Sequence, residues 1–307
     1  ANLYLAATAA GIIGDESLMP PATLMEVGEF EYGTATESAL VRGAKATADM
    51  PAEVFASIDP SAHITLQTVS KHLADIGGIT GLRTEVKSPA FLSILQNPSE
   101  ERAMLTLLLL RESSMDWSPY LPYIRAFLDG AAQHIPSSWD PSTEEGRYRR
   151  TSLGDLKGGK ALLTAVDELR NTIIDSYANM LPKALELFPQ LLGVNELEVE
   201  GIREVYSLQK YVEMWLSIRS RSLEDGGYGI LCPMVCLLNH PQTDMEATVE
   251  IAKDAKGRIV MKATRVLEIG EELTYSYGDL TAERALLVYG FPHSVWSTLP
   301  SIDGFYE

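Results

Sequence analysis

GEELTYSYG, at residues 270–278, carries more information about the architecture than any other part of the chain. Gly270 and the two glutamates after it are typical of a turn, and the Leu-Thr-Tyr that follows is typical of a short strand. Upstream, residues 231–240 read LCPMVCLLNH and end in an Asn-His pair. Downstream, residues 281–288 predict a short helix that a glycine ends. These segments predict that the last part of the chain is built mainly from strands and turns.

The sequence between these two stretches predicts a β-hairpin. Apolar residues alternate across residues 247–252 and again across residues 259–263. Residues 253–257, KDAKG, supply the Asp and Gly that tight turns favour. Residues 1–45 are also predicted to be mostly β, because their apolar runs are short and are broken by glycine and proline.

Residues 46–219 are predicted to be mainly helical. NPSE at residues 97–100 has an N-cap residue, a proline at the first helical position and a glutamate three residues after the cap, so a helix is expected at about 98–112. The leucines at 105 and 107–110 cover more than one face of that helix, which predicts a central place in the core. Helical spacing recurs in two further sets, Leu163, Val166, Leu169, Ile173 and Ile174, and then Ile202, Val205, Leu208, Val212 and Trp215.

We therefore divide the chain into three parts. Residues 1–45 form the N-terminal part of a β core, residues 46–219 a mainly helical insertion, and residues 220–307 the C-terminal part that carries the motifs. The chain has 307 residues, 46% of them hydrophobic, which is enough for a substantial core. Its 25 basic and 42 acidic residues give a net charge of −17. That balance opposes binding to a nucleic acid backbone and favours a basic partner.

Membrane and disulfide classes are also disfavoured. The longest apolar stretch, residues 103–110, is far shorter than the roughly 20 residues needed to span a bilayer. The two cysteines, Cys232 and Cys236, are too few for a disulfide framework. We therefore expect an intracellular protein without membrane contact, with cytoplasm, nucleus and plastid all open as compartments. The oligomeric state does not follow from the sequence.

The motifs together resemble those of SET-domain protein methyltransferases. The Asn-His stretch at 231–240, the GEEL and Tyr-Gly stretch at 270–278 and YGF at 289–291 match landmarks of that family in the family's order. One subgroup, typified by Rubisco large-subunit lysine methyltransferase and actin-histidine methyltransferase, has further landmarks. SRSL at 220–223, WSPYLP at 117–122 and LGDLKGG at 153–159 resemble them.

The resemblance implies an α+β fold in which a SET-type β core, a β-clip, is interrupted by a large helical insertion. It also implies an enzyme that uses S-adenosylmethionine (AdoMet) to methylate a side-chain nitrogen of a protein substrate, with lysine as the favoured acceptor. A histidine methyltransferase is one alternative. A catalytically degenerate SET scaffold that binds peptides is another, and the sequence leaves both open.

The resemblance further implies a catalytic residue and a substrate channel. Tyr277 matches the catalytic tyrosine of the family, whose hydroxyl lies near the methyl group and the incoming nitrogen, so that geometry carries much of the rate. Tyr275 and Tyr289 are expected to line the channel. An apolar channel and a neighbouring positive charge both lower the pKa of a lysine, so no catalytic carboxylate is required.

The cofactor residues implied by the resemblance are Arg221, Asn239 and His240. Arg221 is expected to hold the carboxylate of AdoMet, and the side chain of Asn239 to accept a hydrogen bond from its ammonium group. The backbone of His240 is expected to read the adenine edge. Read without their neighbours, these residues would be a solvated helix-end arginine and a loop pair.

A metal site at Cys232, Cys236 and His240 is the competing interpretation of this stretch. The three residues are spaced by four, which on a helix would align three ligands. Pro233 and the strand-like composition argue against a helix, and no fourth ligand lies within reach in the sequence. We therefore predict no metal and expect both cysteines to be buried, reduced packing residues.

Three features depart from the family pattern. The N-terminal Gly-x-Gly element of the family is absent at residues 1–4, which read ANLY, and Cys236 stands where the subgroup has aspartate. Residues 26–95 carry no motif that resembles the family. The resemblance therefore does not identify the protein substrate or the degree of methylation.

Overall fold

A computed structural model describes residues 25–34, 37–76, 80–156, 158–194, 199–225, 228–241 and 246–291. Within these residues the chain forms two compact units. The β unit contains residues 25–63 and 232–280, and the helical unit contains residues 64–231 and 281–291. No helix in the described part of the chain is both long enough and apolar enough to cross a membrane.

Along the described residues, strands β1–β3 come first, followed by helices α1–α9, strands β4–β8 and helix α10. The strands are β1 (Met25–Thr34), β2 (Glu37–Ala46), β3 (Val54–Ile58), β4 (Ser222–Asp225), β5 (Tyr228–Leu231), β6 (Val249–Lys253), β7 (Ile259–Ala263) and β8 (Glu272–Leu273). The helices are α1 (Leu66–Ile76), α2 (Thr80–Glu85), α3 (Pro89–Ile94), α4 (Pro98–Ser113), α5 (Leu121–Tyr123), α6 (Glu144–Asp155), α7 (Gly159–Leu187), α8 (Val199–Val205), α9 (Leu208–Arg221) and α10 (Ala282–Arg284).

The β unit contains two three-stranded antiparallel sheets. One has the order β1-β2-β8, and its last pairing sets Lys45 opposite Glu272. The other has the order β3-β7-β6. The predicted hairpin is confirmed as β6 and β7, and its turn uses Gly257 at φ +77° with the Asp254 carboxylate accepting from the Arg258 N–H at 2.9 Å.

Strand β3 lies inside the stretch that the sequence assigns mainly to helix. It pairs with β7, so that Ile58 lies opposite Ile259. The two partners are about 200 residues apart in sequence, and a strand of five residues has too few alternating positions to reveal itself without its partner. Residues 1–24 of the predicted N-terminal β segment lie outside the described residues.

The predicted central helix is confirmed as α4. Asn97 caps it, because its Oδ1 accepts from the N–H groups of Ser99 and Glu100 at 3.1 and 3.3 Å. Every residue from 103 to 112 is buried, so the helix is enclosed on all faces. Glu100 does not complete a capping box, since its carboxylate pairs with Lys183 Nζ at 2.9 Å.

The two later helical patterns differ in outcome. The first is confirmed as α7, where Val166 and Ile173 are buried. The second is interrupted, because Ser207 has extended backbone angles and separates α8 from α9. The phase of the apolar residues continues across the break, so the pattern alone could not reveal it. The predicted last helix is present as α10 with the π-helical turn Ala285–Tyr289, and Gly290 ends it at φ +77°.

We predict a pH-dependent contribution of Glu101 to stability. This buried glutamate accepts from the N–H of Leu66, the first residue of α1, at 3.2 Å. Burial raises its pKa, more than that hydrogen bond and the charge of Arg102 lower it. A carboxyl whose folded pKa lies above its unfolded pKa stabilises the fold below the unfolded value, and this contribution is lost as pH rises through the folded value.

Glu101→Gln keeps the acceptor and removes the titration. The free energy of unfolding of the wild type should therefore fall relative to that of the variant as pH rises from about 4 to 7. Chemical denaturation of both proteins across this range measures the difference. If the free energies of unfolding of the two proteins change equally with pH, Glu101 does not titrate in this way.

Candidate active site

The two motifs of the β unit run side by side. Asn239 follows the 3₁₀ turn Val235–Leu237 and forms a parallel bridge with Thr274, just after β8. The N–H of Tyr275 donates to the carbonyl of Asn239 at 2.9 Å. The backbone therefore brings the Asn-His pair next to the tyrosines, although more than 30 residues separate them in the sequence.

A buried pair of threonines anchors this arrangement. The N–H of Thr274 donates to Thr248 Oγ1 at 2.8 Å, and Thr248 Oγ1 donates to the carbonyl of Glu272 at 3.0 Å. Both threonines are buried. Hydrogen bonds enclosed in this way fix the backbone that leads from β8 to the tyrosines.

The side-chain amide of Asn239 has a defined orientation. Its Nδ2 donates to Glu272 Oε1 at 2.8 Å and to the carbonyl of Arg42 at 3.3 Å. Both partners are acceptors, so the amide nitrogen must face them and Oδ1 must point the other way. That orientation presents an acceptor, which is what the ammonium group of AdoMet requires. The residues present therefore fit the cofactor at this position.

Tyr277 is held at both ends by the Asn-His segment. Its N–H donates to His240 Nδ1 at 3.1 Å, and its hydroxyl donates to the carbonyl of Leu238 at 2.8 Å. Its ring lies 5.4 Å from the ring of His240 and 4.8 Å from that of Tyr275. Because the hydroxyl proton is directed to Leu238, any further hydrogen bond of this oxygen must be one that it accepts.

The structure therefore brings four of the six predicted site residues into one cluster: Asn239, His240, Tyr275 and Tyr277. The other two belong to the helical unit. Arg221 is the last residue of α9, and Tyr289 is the last residue of the π-helical turn that precedes Gly290. Both side chains are half-buried. Their predicted roles stay predictions.

The comparison with known families decides the identity of the fold. A model of the SET domain matches residues 42–278, which is most of the chain and includes the whole cluster. The chain belongs to the SET domain family. No curated protein sequence matches it significantly.

Solved structures that resemble this SET domain include two of LSMT. The SET domain of LSMT bound to lysine and AdoHcy matches with a TM-score of 0.58 and 15% identity, covering 95% of this chain and 58% of that one. Rubisco LSMT bound to AdoMet matches with a TM-score of 0.58 and 15% identity, covering 94% of this chain and 57% of that one. The chain thus spans less than two thirds of these proteins. At such identity the likeness establishes the fold, and the predicted α+β SET architecture with a helical insertion is confirmed.

The competing metal interpretation requires Cys232, Cys236 and His240 to share one helix. Cys232 follows β5 and Cys236 lies in the 3₁₀ turn before Asn239, so the two cysteines and His240 do not share a helix. Cys236 Sγ donates to the carbonyl of Cys232 at 3.2 Å, and burial raises the pKa of the Cys232 thiol well above its usual range. Both cysteines are buried, as predicted, and the structure shows no disulfide at either of them. The described residues contain no group of three or more side chains suited to a metal ion.

Two residues next to the Asn239 amide were not predicted from the sequence, Gly43 and Glu272. Glu272 belongs to the GEEL stretch, but the residues of that stretch do not indicate that its carboxylate accepts a hydrogen bond from Asn239. Gly43 lies in β2, far from both motifs. The site was recognisable from local motifs, whereas these two contacts depend on the pairing of β2 with β8. Residues 1–4, where the sequence analysis expects the Gly-x-Gly element of the family, lie outside both the described residues and the match to the family model.

Proposed function

We propose that this SET domain is an AdoMet-dependent protein N-methyltransferase and that its acceptor is a lysine side chain. The observation that carries the proposal is the cluster of Asn239, His240 and Tyr277, which offers an amide acceptor and a tyrosine oxygen from one hydrogen-bonded frame. Related structures support it, since LSMT has been solved with AdoMet and with sinefungin and monomethyllysine. The net charge of −17 favours a basic protein substrate.

The cofactor contacts follow from the orientation of these groups. Asn239 Oδ1 would accept from the ammonium group of AdoMet, and the Glu272 carboxylate on the other side of the amide adds a favourable charge. Arg221 would hold the carboxylate, and the backbone of His240 the adenine edge. The imidazole of His240 has a separate task, because its Nδ1 accepts the Tyr277 N–H.

The acceptor nitrogen must lose a proton before it reacts. With a lysine pKa near 10.4, deprotonation at pH 7 costs about 4.6 kcal/mol. Burial in an apolar channel and a nearby positive charge both lower that cost. The Tyr277 oxygen can then accept one N–H of the amine and direct the nitrogen lone pair.

When bound, AdoMet would supply an electrophilic methyl group on a sulfonium: the neutral amine, having first given one proton to solvent, would take that methyl group, and the C–S electron pair would stay with sulfur. The tyrosines and the backbone frame contribute orientation rather than a base. Tyr275 and Tyr289 would form the walls that exclude water. This division of roles needs no metal ligand among the described residues.

The acceptor type is tested by methyl transfer from labelled AdoMet to a mixture of basic proteins, followed by hydrolysis and amino-acid analysis. We expect labelled methyllysine with the wild type and background label with Tyr277→Phe. For a lysine acceptor kcat should rise with pH between about 6.5 and 9, because the neutral amine becomes more abundant.

A histidine acceptor predicts a different result. Its pKa is near 6.5, so kcat should be flat above about pH 7 and the label should appear as methylhistidine. Binding of AdoHcy without any Tyr277-dependent label would instead support the peptide-binding scaffold and contradict the proposed activity.

A further inference from the structure

The amide of Asn239 lies against two neighbouring strands, of which β2 lies outside the cofactor motifs. Its nitrogen reaches the carbonyl of Arg42 on β2 and the carboxylate of Glu272 on β8. These strands are neighbours, with Ala44 opposite Leu273 and Lys45 opposite Glu272. The sheet thus forms the floor under the amide.

The floor has room for the amide only because residue 43 is glycine. A Cβ placed on Gly43 would lie 2.5 Å from Asn239 Nδ2 and 2.7 Å from Glu272 Oε1. Carbon atoms do not approach nitrogen or oxygen so closely without a bond, so one of the two side chains would have to move. Gly43 has no left-handed backbone angle in this structure, so space and not backbone conformation accounts for glycine here.

Glu272 combines an orienting and an electrostatic effect. Its carboxylate accepts from Asn239 Nδ2 at 2.8 Å, and a charged acceptor makes a stronger hydrogen bond than a neutral one. An amide can rotate by half a turn and exchange its oxygen and nitrogen at little steric cost. The carboxylate opposes that rotation, because the rotated amide would set its oxygen against a negative charge.

We propose that Gly43 and Glu272 are positioning residues of the AdoMet site, which together fix the Asn239 amide with Oδ1 directed to the ammonium group. The assignment rests on the proposed function. Neither residue touches the cofactor in this account, and both act through Asn239. Their loss should therefore weaken cofactor binding and disturb the Asn239 amide even when no ligand is present.

The test compares three variants with two matched controls. Gly43→Ala fills the space, Glu272→Ala removes the acceptor and the charge, and Glu272→Gln keeps an acceptor without the charge. Gly28→Ala is the steric control: Gly28 lies opposite Gly43 across β1 and β2, and the nearest atoms to its added Cβ would belong to the Lys45 side chain at 3.0 Å and the Phe30 ring at 3.1 Å, not to Asn239 or Glu272. Glu271→Gln is the charge control, since Glu271 pairs with Arg265 instead of Asn239.

Two measurements are made on each folded protein. Calorimetric titration gives the dissociation constant of AdoHcy, and ¹H–¹⁵N spectra of the ligand-free protein report the side-chain NH₂ signals of Asn239, assigned from their loss in Asn239→Ala. We expect Gly43→Ala and Glu272→Ala to weaken binding about tenfold or more and to shift those signals. Glu272→Gln should weaken binding by only a few-fold and keep the signals near their wild-type positions, and both controls should match the wild type.

The outcomes separate this proposal from the proposed function. If the wild type binds AdoHcy while Gly43→Ala and Glu272→Ala bind it within twofold as tightly, the positioning role is wrong and the cofactor site stands. If the two variants change binding no more than their matched controls do, the role is equally wrong. If the wild type does not bind AdoHcy, the proposed function fails first. Altered Asn239 signals in Gly43→Ala and Glu272→Ala would then still support the orienting contacts.

Discussion

Tyr277→Phe should reduce methyl transfer by at least about 100-fold while leaving the affinity for AdoHcy within about threefold. The hydroxyl is the one group that this substitution removes, and in the structure it donates to the carbonyl of Leu238 at 2.8 Å. The substitution therefore removes the oxygen that would accept a hydrogen bond from the substrate amine. The ring contacts with His240 and Tyr275 do not depend on the hydroxyl, so the cofactor side of the cluster should persist.

Single-turnover transfer from labelled AdoMet and calorimetric titration with AdoHcy separate the two effects. Tyr148→Phe is a matched control, because Tyr148 is 73% exposed in the helical unit and the same atom is removed there. The control should transfer methyl at the wild-type rate. Turnover of Tyr277→Phe within threefold of the wild type would show that Tyr277 is not the catalytic tyrosine.

Asn239→Ala should abolish the stabilisation of the protein by AdoHcy. A ligand at 100 times its dissociation constant adds about 2.7 kcal/mol to the free energy of unfolding, which is a readily measured shift of the melting temperature. The substitution removes Oδ1 and also leaves Glu272 without the amide donor at 2.8 Å. Both changes act on the position where the ammonium group of AdoMet would bind.

Thermal unfolding with and without saturating AdoHcy measures the effect. Asn171→Ala, an exposed position in α7, is the control for the same substitution and should keep the full shift. An unchanged ligand-induced shift in Asn239→Ala would contradict the placement of the cofactor at this residue.

The parts of the fold that the sequence revealed are those with local signals. The cap at Asn97 with the following proline placed α4 within one residue, and the alternation around residues 253–257 placed the β6–β7 hairpin. Strand β3 was not predicted, because its partner strand β7 is distant in the sequence. The break between α8 and α9 at Ser207 was not predicted, because the helical spacing of the apolar residues continues across it.

In the candidate site, too, local motifs predicted the residues, whereas contacts between distant segments could not be predicted. Asn239, His240, Tyr275 and Tyr277 were chosen from two motifs, and the structure brings them together through the Asn239–Thr274 bridge. The role of the His240 imidazole was not predicted, because the resemblance concerns its backbone and the acceptance of the Tyr277 N–H depends on the three-dimensional fold.

Gly43 and Glu272 illustrate what local patterns cannot provide. A glycine in a strand is usually a weak point or a bulge, and only the crowding around Asn239 gives Gly43 a reason. Glu272 reads as part of a turn, whereas its side chain is a partner of the Asn-His motif. The need for glycine at position 43 and the hydrogen-bond partner of Glu272 both depend on contacts between segments that are distant in the sequence.

The central claim is that AdoMet binds at the cluster formed by Asn239, His240 and Tyr277. Hydrogen exchange measured by mass spectrometry, with and without saturating AdoHcy, tests it most directly, because it locates the ligand on the chain. We predict slower exchange in residues 42–46, 238–241 and 272–278. A groove in the helical unit is lined by Pro98, Lys183 and Trp215. Slower exchange at that groove alone, or unchanged exchange in residues 42–46, 238–241 and 272–278, would contradict the account.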